Sequence, residues 1–176
     1  MELLTSKVDT LGENDTSHIG TGTLDAAKAI LVKEGKLKGT LNSGSTVALG
    51  AGAKITGNVI AGTTVALGAD AKVTGNLEST HSNVTVGAKG EIAGTTTTAA
   101  SSATLSAGAF GDDNIDAVTV TMGAGSRVLN DLNATTSTLG ATACFGGNNN
   151  TTTTYTEGAG AGQCSLDRKV TNTACE

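Results

Sequence analysis

The amino-acid sequence predicts an all-β fold: a single-domain parallel β-solenoid of about six triangular coils, each roughly 18 residues long. An internal repeat is the first observation behind this prediction. The segment Val47–Val59 (VALGAGAKITGNV) returns as Val65–Leu77 (VALGADAKVTGNL), and looser copies start at Val84, Ala103 and Val120. Units that repeat at such a short period cannot fold alone, and they bury a shared core by stacking.

Alternation of apolar and polar residues within each copy is the second observation. Val47, Leu49 and Ile55 are separated by small or polar residues, and a period of two is typical of a strand with one buried face. Glycines between these short stretches supply the corners of a triangular coil. The predicted core consists of the aliphatic residues at inward positions: Val47, Leu49, Ile55, Val59, Val65, Leu67, Val73, Leu77, Val84, Val86, Ile92, Leu105, Val120 and Val128.

The composition favours a narrow core lined by aliphatic side chains. The chain has two Phe, one Tyr and no Trp, so it lacks the aromatic bulk of an ordinary globular core. It has 25 Gly and no Pro. Thr is the main surface residue, which suits strands because β-branched side chains fit a pleated surface.

The repeat divides the chain into three parts. We predict the β-solenoid over residues 29–132 and a polar N-terminal arm or cap over residues 1–28. Residues 133–176 are rich in Thr, Asn and Gly and contain the cysteines, and they are predicted to form a C-terminal cap. Within that cap, residues 133–163 are either an irregular cap or a mobile loop.

Charge and hydropathy exclude two classes of partner. The net charge of −5, with no basic run, disfavours nucleic-acid binding. No apolar stretch approaches the ~18 residues that a membrane-spanning helix needs. The first eight residues are too short and polar for a signal peptide, which indicates a cytoplasmic protein or a processed chain.

The three cysteines, Cys144, Cys164 and Cys175, lie close to the C-terminus. Their spacing is not that of a zinc site, so no metal is expected there. One disulfide with a third cysteine left over is expected if the protein is exported, and the sequence leaves the pairing open. Three reduced thiols are the alternative. We expect an extracellular or cell-surface location, with the cytoplasm as the alternative.

Residue types that could carry catalysis are sparse. Of the two histidines, His18 and His81, the second lies in a predicted corner with no acidic residue nearby, so an exposed turn histidine is favoured over a general base. Asp112, Asp113 and Asp116 are a weak candidate for a calcium site, and a solvated loop is favoured. No nucleophile elbow, phosphate loop or dinucleotide motif is present. We therefore predict a non-enzymatic protein without a cofactor.

A flat uncharged face is the more informative candidate site. The outward residues on the first strand of each predicted coil are all small or hydroxyl-bearing, apart from one Asn: Thr46, Ala48, Thr64, Ala66, Asn83, Thr85, Ser102, Thr104, Thr119 and Thr121. The second strand carries charges at its matching positions, namely Lys54, Lys72, Glu91 and Arg127. The flat face can order water, pack against a neighbouring subunit, or simply reflect the strand preference of Thr and Ala.

Asn-x-Thr sequons are a further candidate feature. They occur at Asn14, Asn83, Asn133, Asn149 and Asn150 and would be glycan acceptors in a secretory host. Chance matches are frequent in a chain this rich in Thr.

The repeat also carries two family resemblances. Gly52–Gly62 (GAKITGNVIAG) and Ala69–Leu77 (ADAKVTGNL) resemble coils of bactofilins, over roughly residues 30–132. That resemblance implies a bacterial β-solenoid that polymerises end to end. The stretch Gly57–Val65 (GNVIAGTTV) is similar to secreted ice-binding β-solenoids. This second resemblance implies a monomer that binds an ice surface.

Two functions follow as expectations. The first is a self-assembling structural protein, a filament or surface-coat subunit that forms a homopolymer, because an open strand edge can template another chain. The alternative is an ice-binding (antifreeze) protein that uses the flat Thr/Ala/Ser face.

Overall fold

The structure is a computed structural model that describes residues 19–26, 30–32, 35–98 and 101–164. These residues form twenty β-strands and no helix, and every strand pairing between coils is parallel. The strands build a β-solenoid of about seven turns, which confirms the predicted fold class. Within the described ranges, no helix is long and apolar enough to cross a membrane.

Each coil has three strands, and the equivalent strands of successive coils stack into three faces. Face 1 contains β2 (Ile30–Val32), β4 (Val47–Leu49), β7 (Val65–Leu67), β10 (Val84–Val86), β13 (Ser102–Leu105) and the second halves of β15 (Ile115–Met122), β17 (Leu132–Leu139) and β19 (Asn149–Glu157).

Face 2 follows face 1 along the chain. It contains the first half of β3 (Lys36–Ser43) and then β5 (Lys54–Thr56), β8 (Lys72–Val73), β11 (Glu91–Ile92), β14 (Phe110–Gly111), β16 (Arg127–Val128), β18 (Cys144–Phe145) and β20 (Gly162–Gln163). Face 3 contains β1 (Ile19–Ala26), the second half of β3, β6 (Val59–Ala61), β9 (Leu77–Ser79), β12 (Thr96–Thr98) and the first halves of β15, β17 and β19.

The core is narrow and continuous because the register stacks inward residues directly on inward residues. Val47 pairs with Val65, and Val65 pairs with Val84 in the next coil. All fourteen predicted core residues are buried, each no more than 3% exposed. A one-residue slip would turn every one of them towards solvent, so the apolar alternation fixes the register.

The corner between faces 1 and 2 repeats one backbone conformation in each coil. A residue with positive φ lies there in seven coils: Gly52, Asp70, Lys89, Gly108, Gly125, Thr142 and Gly160. Glycine takes this left-handed conformation without steric cost. The β-branched Thr142 also adopts it, at φ 58°, but with steric strain. The turn shape is therefore imposed by the stack and not by each residue's own preference.

Short polar side chains hold the corner between faces 2 and 3. The Asn76 backbone N–H donates to Asn58 Oδ1 (2.9 Å), and the Thr95 N–H donates to Asn76 Oδ1 (3.2 Å). Further along the stack, the Asn148 N–H donates to Asp131 Oδ1 (2.7 Å). Amide and carboxylate oxygens thus satisfy backbone donors where the strand ladder is interrupted by the bend.

The solenoid extends further in both directions than the repeat indicated. β17 to β20 continue the stack over residues 132–163, where the sequence analysis expected an irregular cap or a mobile loop. The aliphatic repeat fades in that segment because inward positions are filled by residues such as Ser137 and Phe145. At the other end, β1 lies within the predicted 1–28 arm and pairs with β3. Residues 1–18 lie outside the described part.

The last described coil differs from the others at its inward positions. Asn149 and Thr151 occupy the register positions of Leu132 and Ala134, and Glu157 occupies that of Leu139. Asn149 Oδ1 accepts a hydrogen bond from Thr151 Oγ1 (2.5 Å), and the Tyr155 hydroxyl donates to the Glu157 carboxylate. The aliphatic core therefore ends beneath a layer of polar side chains.

Candidate functional site, the threonine face

Two columns of outward residues run along face 1, and together we name them the threonine face. The first column contains Thr46, Thr64, Asn83, Ser102, Thr119, Thr136 and Thr154. The second column contains Ala48, Ala66, Thr85, Thr104, Thr121, Thr138 and Thr156. The second column is in strict register from Ala48 to Thr156, since each residue pairs with its equivalent in the next coil.

Strand geometry sets the expected spacing of the two columns. Positions two residues apart along an ideal strand are ~6.6 Å apart, and equivalent residues in neighbouring strands are ~4.8 Å apart. Thr85, Thr121, Thr138, Thr154 and Thr156 are exposed. Their β-branched side chains have restricted χ1 angles, so the hydroxyl and methyl groups are held in place at a small entropic cost.

No charged side chain belongs to either column of the threonine face. On face 2, by contrast, the outward column reads Lys36, Lys54, Lys72, Glu91, Phe110, Arg127, Cys144 and Gly162. Lys72 Nζ and Glu91 Oε1 form an exposed ion pair at 2.5 Å. Arg127, the last of the four charged residues that the sequence places on this strand, is only 3% exposed and does not face solvent as the other three do.

The ten residues that the sequence analysis assigned to the flat face all lie in these two columns. Sequence reasoning missed four more, Thr136, Thr138, Thr154 and Thr156, because it ended the solenoid at residue 132. A signal for them was present. The Thr-x-Thr pattern of Thr119 and Thr121 recurs at Thr136 and Thr138 and again at Thr154 and Thr156.

His81 lies in an exposed turn between faces 3 and 1. Its Nδ1 lies 2.8 Å from the Gly62 carbonyl oxygen, which can only accept, so Nδ1 carries the proton in this arrangement. The other contact of Nδ1 is with the Thr80 hydroxyl, at 2.7 Å. No carboxylate orients the ring among its contacts in the described part of the chain. His18 lies outside the described residues.

The three aspartates of the calcium candidate are distributed along a corner and a strand. Asp113 Oδ1 accepts a hydrogen bond from Asn130 Nδ2 (2.9 Å), and its Oδ2 accepts one from Thr95 Oγ1 (3.1 Å). Asp116 Oδ1 accepts one from Asn133 Nδ2 (2.5 Å), and Asp112 is exposed. Among the described residues, no group of three or more His, Cys, Asp or Glu side chains is placed to hold a metal ion.

Hydrogen bonding also changes the acidity of Asp113. The bond from Asn130 favours the carboxylate and lowers the pKa of Asp113, with smaller contributions from the Asn114 backbone and Thr95. Asp113 is therefore part of a structural ladder that joins three coils.

Cys144 and Cys164 form a disulfide, with their Cα atoms 5.1 Å apart. This pairing settles what the sequence left open for these two residues, and Cys175 lies outside the described part. Cys144 sits at the outward column of face 2, so the bond ties the last segment of the chain to that face.

Four of the five sequons lie in the described region. Asn83 Oδ1 accepts hydrogen bonds from the Ser101 and Ser102 hydroxyls at 2.7 and 2.9 Å. Asn133 and Asn150 belong to a side-chain ladder on face 3, and Asn149 lies at an inward position of the last coil. Asn14 lies outside the described residues.

Tyr155 lies in the last described coil, at the polar end of the core. Its ring packs edge-on against Phe145, with centroids 6.4 Å apart. Burial raises the pKa of Tyr155 above its ordinary value, and the hydrogen bond to the neighbouring Glu157 adds to the effect. The hydroxyl therefore stays protonated and continues to donate to Glu157.

The chain matches no protein-family model, and neither the curated proteins nor the solved structures provide a match.

Proposed function

We propose that the protein is non-enzymatic and that its threonine face binds ice, a flat surface with hydrogen-bonding groups on a lattice. The observation that carries this proposal is the unbroken register of the second column from Ala48 to Thr156. A grid of stiff Thr hydroxyl and methyl groups can hold water molecules at regular positions. The absence of charge from both columns keeps that water from being ordered around ions instead.

The polar end of the last coil supports a monomeric form, which the ice-binding function requires. A repeat protein stays soluble when its terminal repeat presents polar groups, because a second copy then gains little by stacking on it. Here Glu157 and Asn149 occupy inward register positions where preceding coils have leucine.

Thermal hysteresis of the wild-type monomer, combined with ice-crystal shape, tests the proposal. Thr104→Arg and Thr121→Arg are expected to abolish most of the hysteresis. A long charged side chain in the middle of the threonine face keeps that face from lying against the ice surface. Thr56→Arg is the matched control: Thr56 is an exposed outward residue on face 2, and this change should leave hysteresis unaltered.

Two results would contradict ice binding. One is a wild-type protein that is monomeric and folded but shows no hysteresis. The other is an equal loss of hysteresis in the control and the two face variants. Circular dichroism of each variant checks that the strand signal is unchanged.

A self-assembling structural subunit is the second candidate, and a side-chain ladder on face 3 favours it. Asn133 Nδ2 donates to Asp116 Oδ1, and Asn150 Nδ2 donates to Asn133 Oδ1 (2.6 Å). Asn150 belongs to the last described coil, and its side-chain Oδ1 accepts no hydrogen bond from the described residues. Such an end can template the strand of another copy.

Electron microscopy and light scattering over a range of concentrations and salt test this second candidate. Filaments or sheets in the absence of hysteresis would support it. Strictly monomeric particles at all conditions would count against it and leave the ice-binding proposal standing.

The disulfide supports a location outside the cytoplasm, at the cell surface or in the medium. Stable disulfides between Cys residues form and persist mainly in oxidising compartments. Fractionation of the producing cells, with the free-thiol content of the recovered protein, checks this part of the proposal.

A further inference from the structure

The disulfide on face 2 lies beside a buried cation. Cys144 pairs in register with Arg127 of the preceding coil, and both residues occupy the outward column of that face. They are nonetheless only 2% and 3% exposed, whereas Lys54, at the equivalent position of an earlier coil, is exposed. Arg127 and Cys144 are therefore neighbours in a site from which water is excluded.

The two cysteines of the disulfide differ in their exposure to solvent. Cys144 is buried, whereas Cys164 is half-buried and follows directly after β20 in the last described coil. Within the described chain, β20 pairs with β18 alone, so no described strand stacks on its other edge. A thiol in solution therefore reaches the sulfur of Cys164 more easily than that of Cys144.

We propose that Cys164 is a site of thiol–disulfide exchange with low-molecular-weight thiols, and that Cys144 is the leaving group. The thiolate sulfur of the incoming molecule forms a bond to Cys164 Sγ, the bond between Cys144 and Cys164 breaks, and its electron pair stays on Cys144 Sγ. One disulfide replaces another, so the step needs no further oxidant or reductant. The products are a mixed disulfide at Cys164 and a thiolate at Cys144.

The positive charge of Arg127 determines which sulfur leaves. A thiolate in a buried apolar site is unfavourable, but a neighbouring arginine stabilises it. Because water is excluded from both residues, their charges interact more strongly than charges on an exposed surface do. A better stabilised thiolate leaves faster, so Arg127 favours the release of Cys144. Arg127 is thus a positioning residue that acts through the leaving sulfur.

The carboxylates near this column do not cancel the charge of Arg127. Glu91 lies two coils earlier in the same column and is ion-paired with a lysine. Asp112 lies on the coil between them and is exposed, so water and salt screen its charge. The corner carboxylates, including Asp131, accept hydrogen bonds from neighbouring coils. Glu157 lies at an inward register position.

Mass spectrometry of the wild-type protein tests the direction of the exchange. The full chain is incubated with reduced glutathione under native conditions, quenched with acid, and its free thiols are alkylated with N-ethylmaleimide. Cleavage after Glu157 and Arg168 separates the three cysteines. Glutathione should be found on Cys164 and the alkyl group on Cys144, with the reverse species at least about tenfold less abundant.

Substitutions of Arg127 test the role of its charge. Arg127→Gln should slow the glutathione-dependent opening about fivefold, because the leaving thiolate loses its neighbouring cation. Arg127→Lys keeps a cation at that position and should restore most of the rate. Lys54→Gln is the matched control, since it removes one positive charge from an exposed position of the same column, and it should change the rate by less than about twofold.

Three results would overturn the proposal. Glutathione found equally on Cys144 and Cys164 would mean that exposure does not direct the attack. Equal rates for the wild type and a folded Arg127→Gln would mean that the charge has no influence on the leaving group. Opening no faster than global unfolding, measured by hydrogen exchange, would make the disulfide a purely structural link. If Arg127→Gln does not fold, the distribution of glutathione on the wild-type protein still decides.

Discussion

The threonine face and face 2 are built on the same frame but present opposite chemistry. Both consist of short parallel strands in the same coils, with buried residues such as Leu67 on face 1 and Val73 on face 2 pointing into the same core. The outward residues of face 1 are neutral, mostly Thr, Ser and Ala, whereas face 2 carries lysines, an ion pair and a disulfide. The inward alternation therefore fixes the fold and leaves each outward column free to vary.

The difference also shows how the protein can keep a large uncharged grid in water. Face 2 and the corner that holds Asp113 and Asp131 supply the charged groups that face 1 lacks.

The largest expected effect comes from placing a charged residue at an inward position of face 1. Leu67→Asp places a carboxylate in a core position that is 3% exposed, and we expect a loss of about 4 kcal/mol or more and no folded protein. Ala66→Asp, one residue earlier on the same strand, should remain folded because its side chain points outward. Circular dichroism and thermal melting measure both. A folded Leu67→Asp variant would contradict the assignment of the core.

The second-largest effect is expected from the disulfide on face 2. Replacing Cys144 and Cys164 together by Ser opens a link between residues 20 positions apart, and we expect a loss of about 3 kcal/mol. Hydrogen exchange should speed up mainly in β18 to β20, with the first coils little changed. Reduction of the wild-type protein is the matched comparison. Unchanged stability after reduction would show that stacking alone holds the last coil.

A smaller effect is expected at the corner between the two faces. Thr142 has φ 58°, so Thr142→Gly should raise the free energy of unfolding by about 1 kcal/mol. Gly125, the equivalent residue one coil earlier, has φ 66°, and a Cβ there would meet only Thr142 Oγ1, at 3.9 Å. Gly125→Thr should therefore destabilise by a similar amount through backbone strain alone. Denaturant titration measures the change in the free energy of unfolding for both variants. Changes of the same sign would contradict an effect of backbone strain at this corner.

The smallest effect is a pH dependence at the corner between faces 2 and 3. Because the pKa of Asp113 is lowered on folding, its carboxylate stabilises the fold at pH values above the ordinary pKa of 3.8. This contribution disappears as the pH falls through the lower pKa of the folded state. Asp113→Asn should cost less than about 1 kcal/mol at pH 7 and make stability less sensitive to pH below about 4. Asp112→Asn, at the exposed neighbour, is the control. Identical pH profiles for both variants would contradict the role given to Asp113.

Much of the architecture could be read from the chain because stacking makes it periodic. The aliphatic residues at Val47, Val65 and Val84 recur at coil length, so the core, the faces and the register of the middle coils follow from the repeat. The last coils could not be predicted in the same way. Asn149 and Glu157 stand where the apolar pattern requires aliphatic residues, so the strand pairing with β17, and not the aliphatic repeat, shows that the coil continues.

The fold, the inward residues and ten positions of the threonine face follow from the amino-acid sequence, because a period of two within a period of about 18 allows one packing of the apolar side chains. The extension of the threonine face to Thr156, the pairing of Cys144 with Cys164 and the burial of Arg127 became visible in the folded chain. These features depend on contacts between residues that no repeat relates, and such contacts exist only once the coils have stacked.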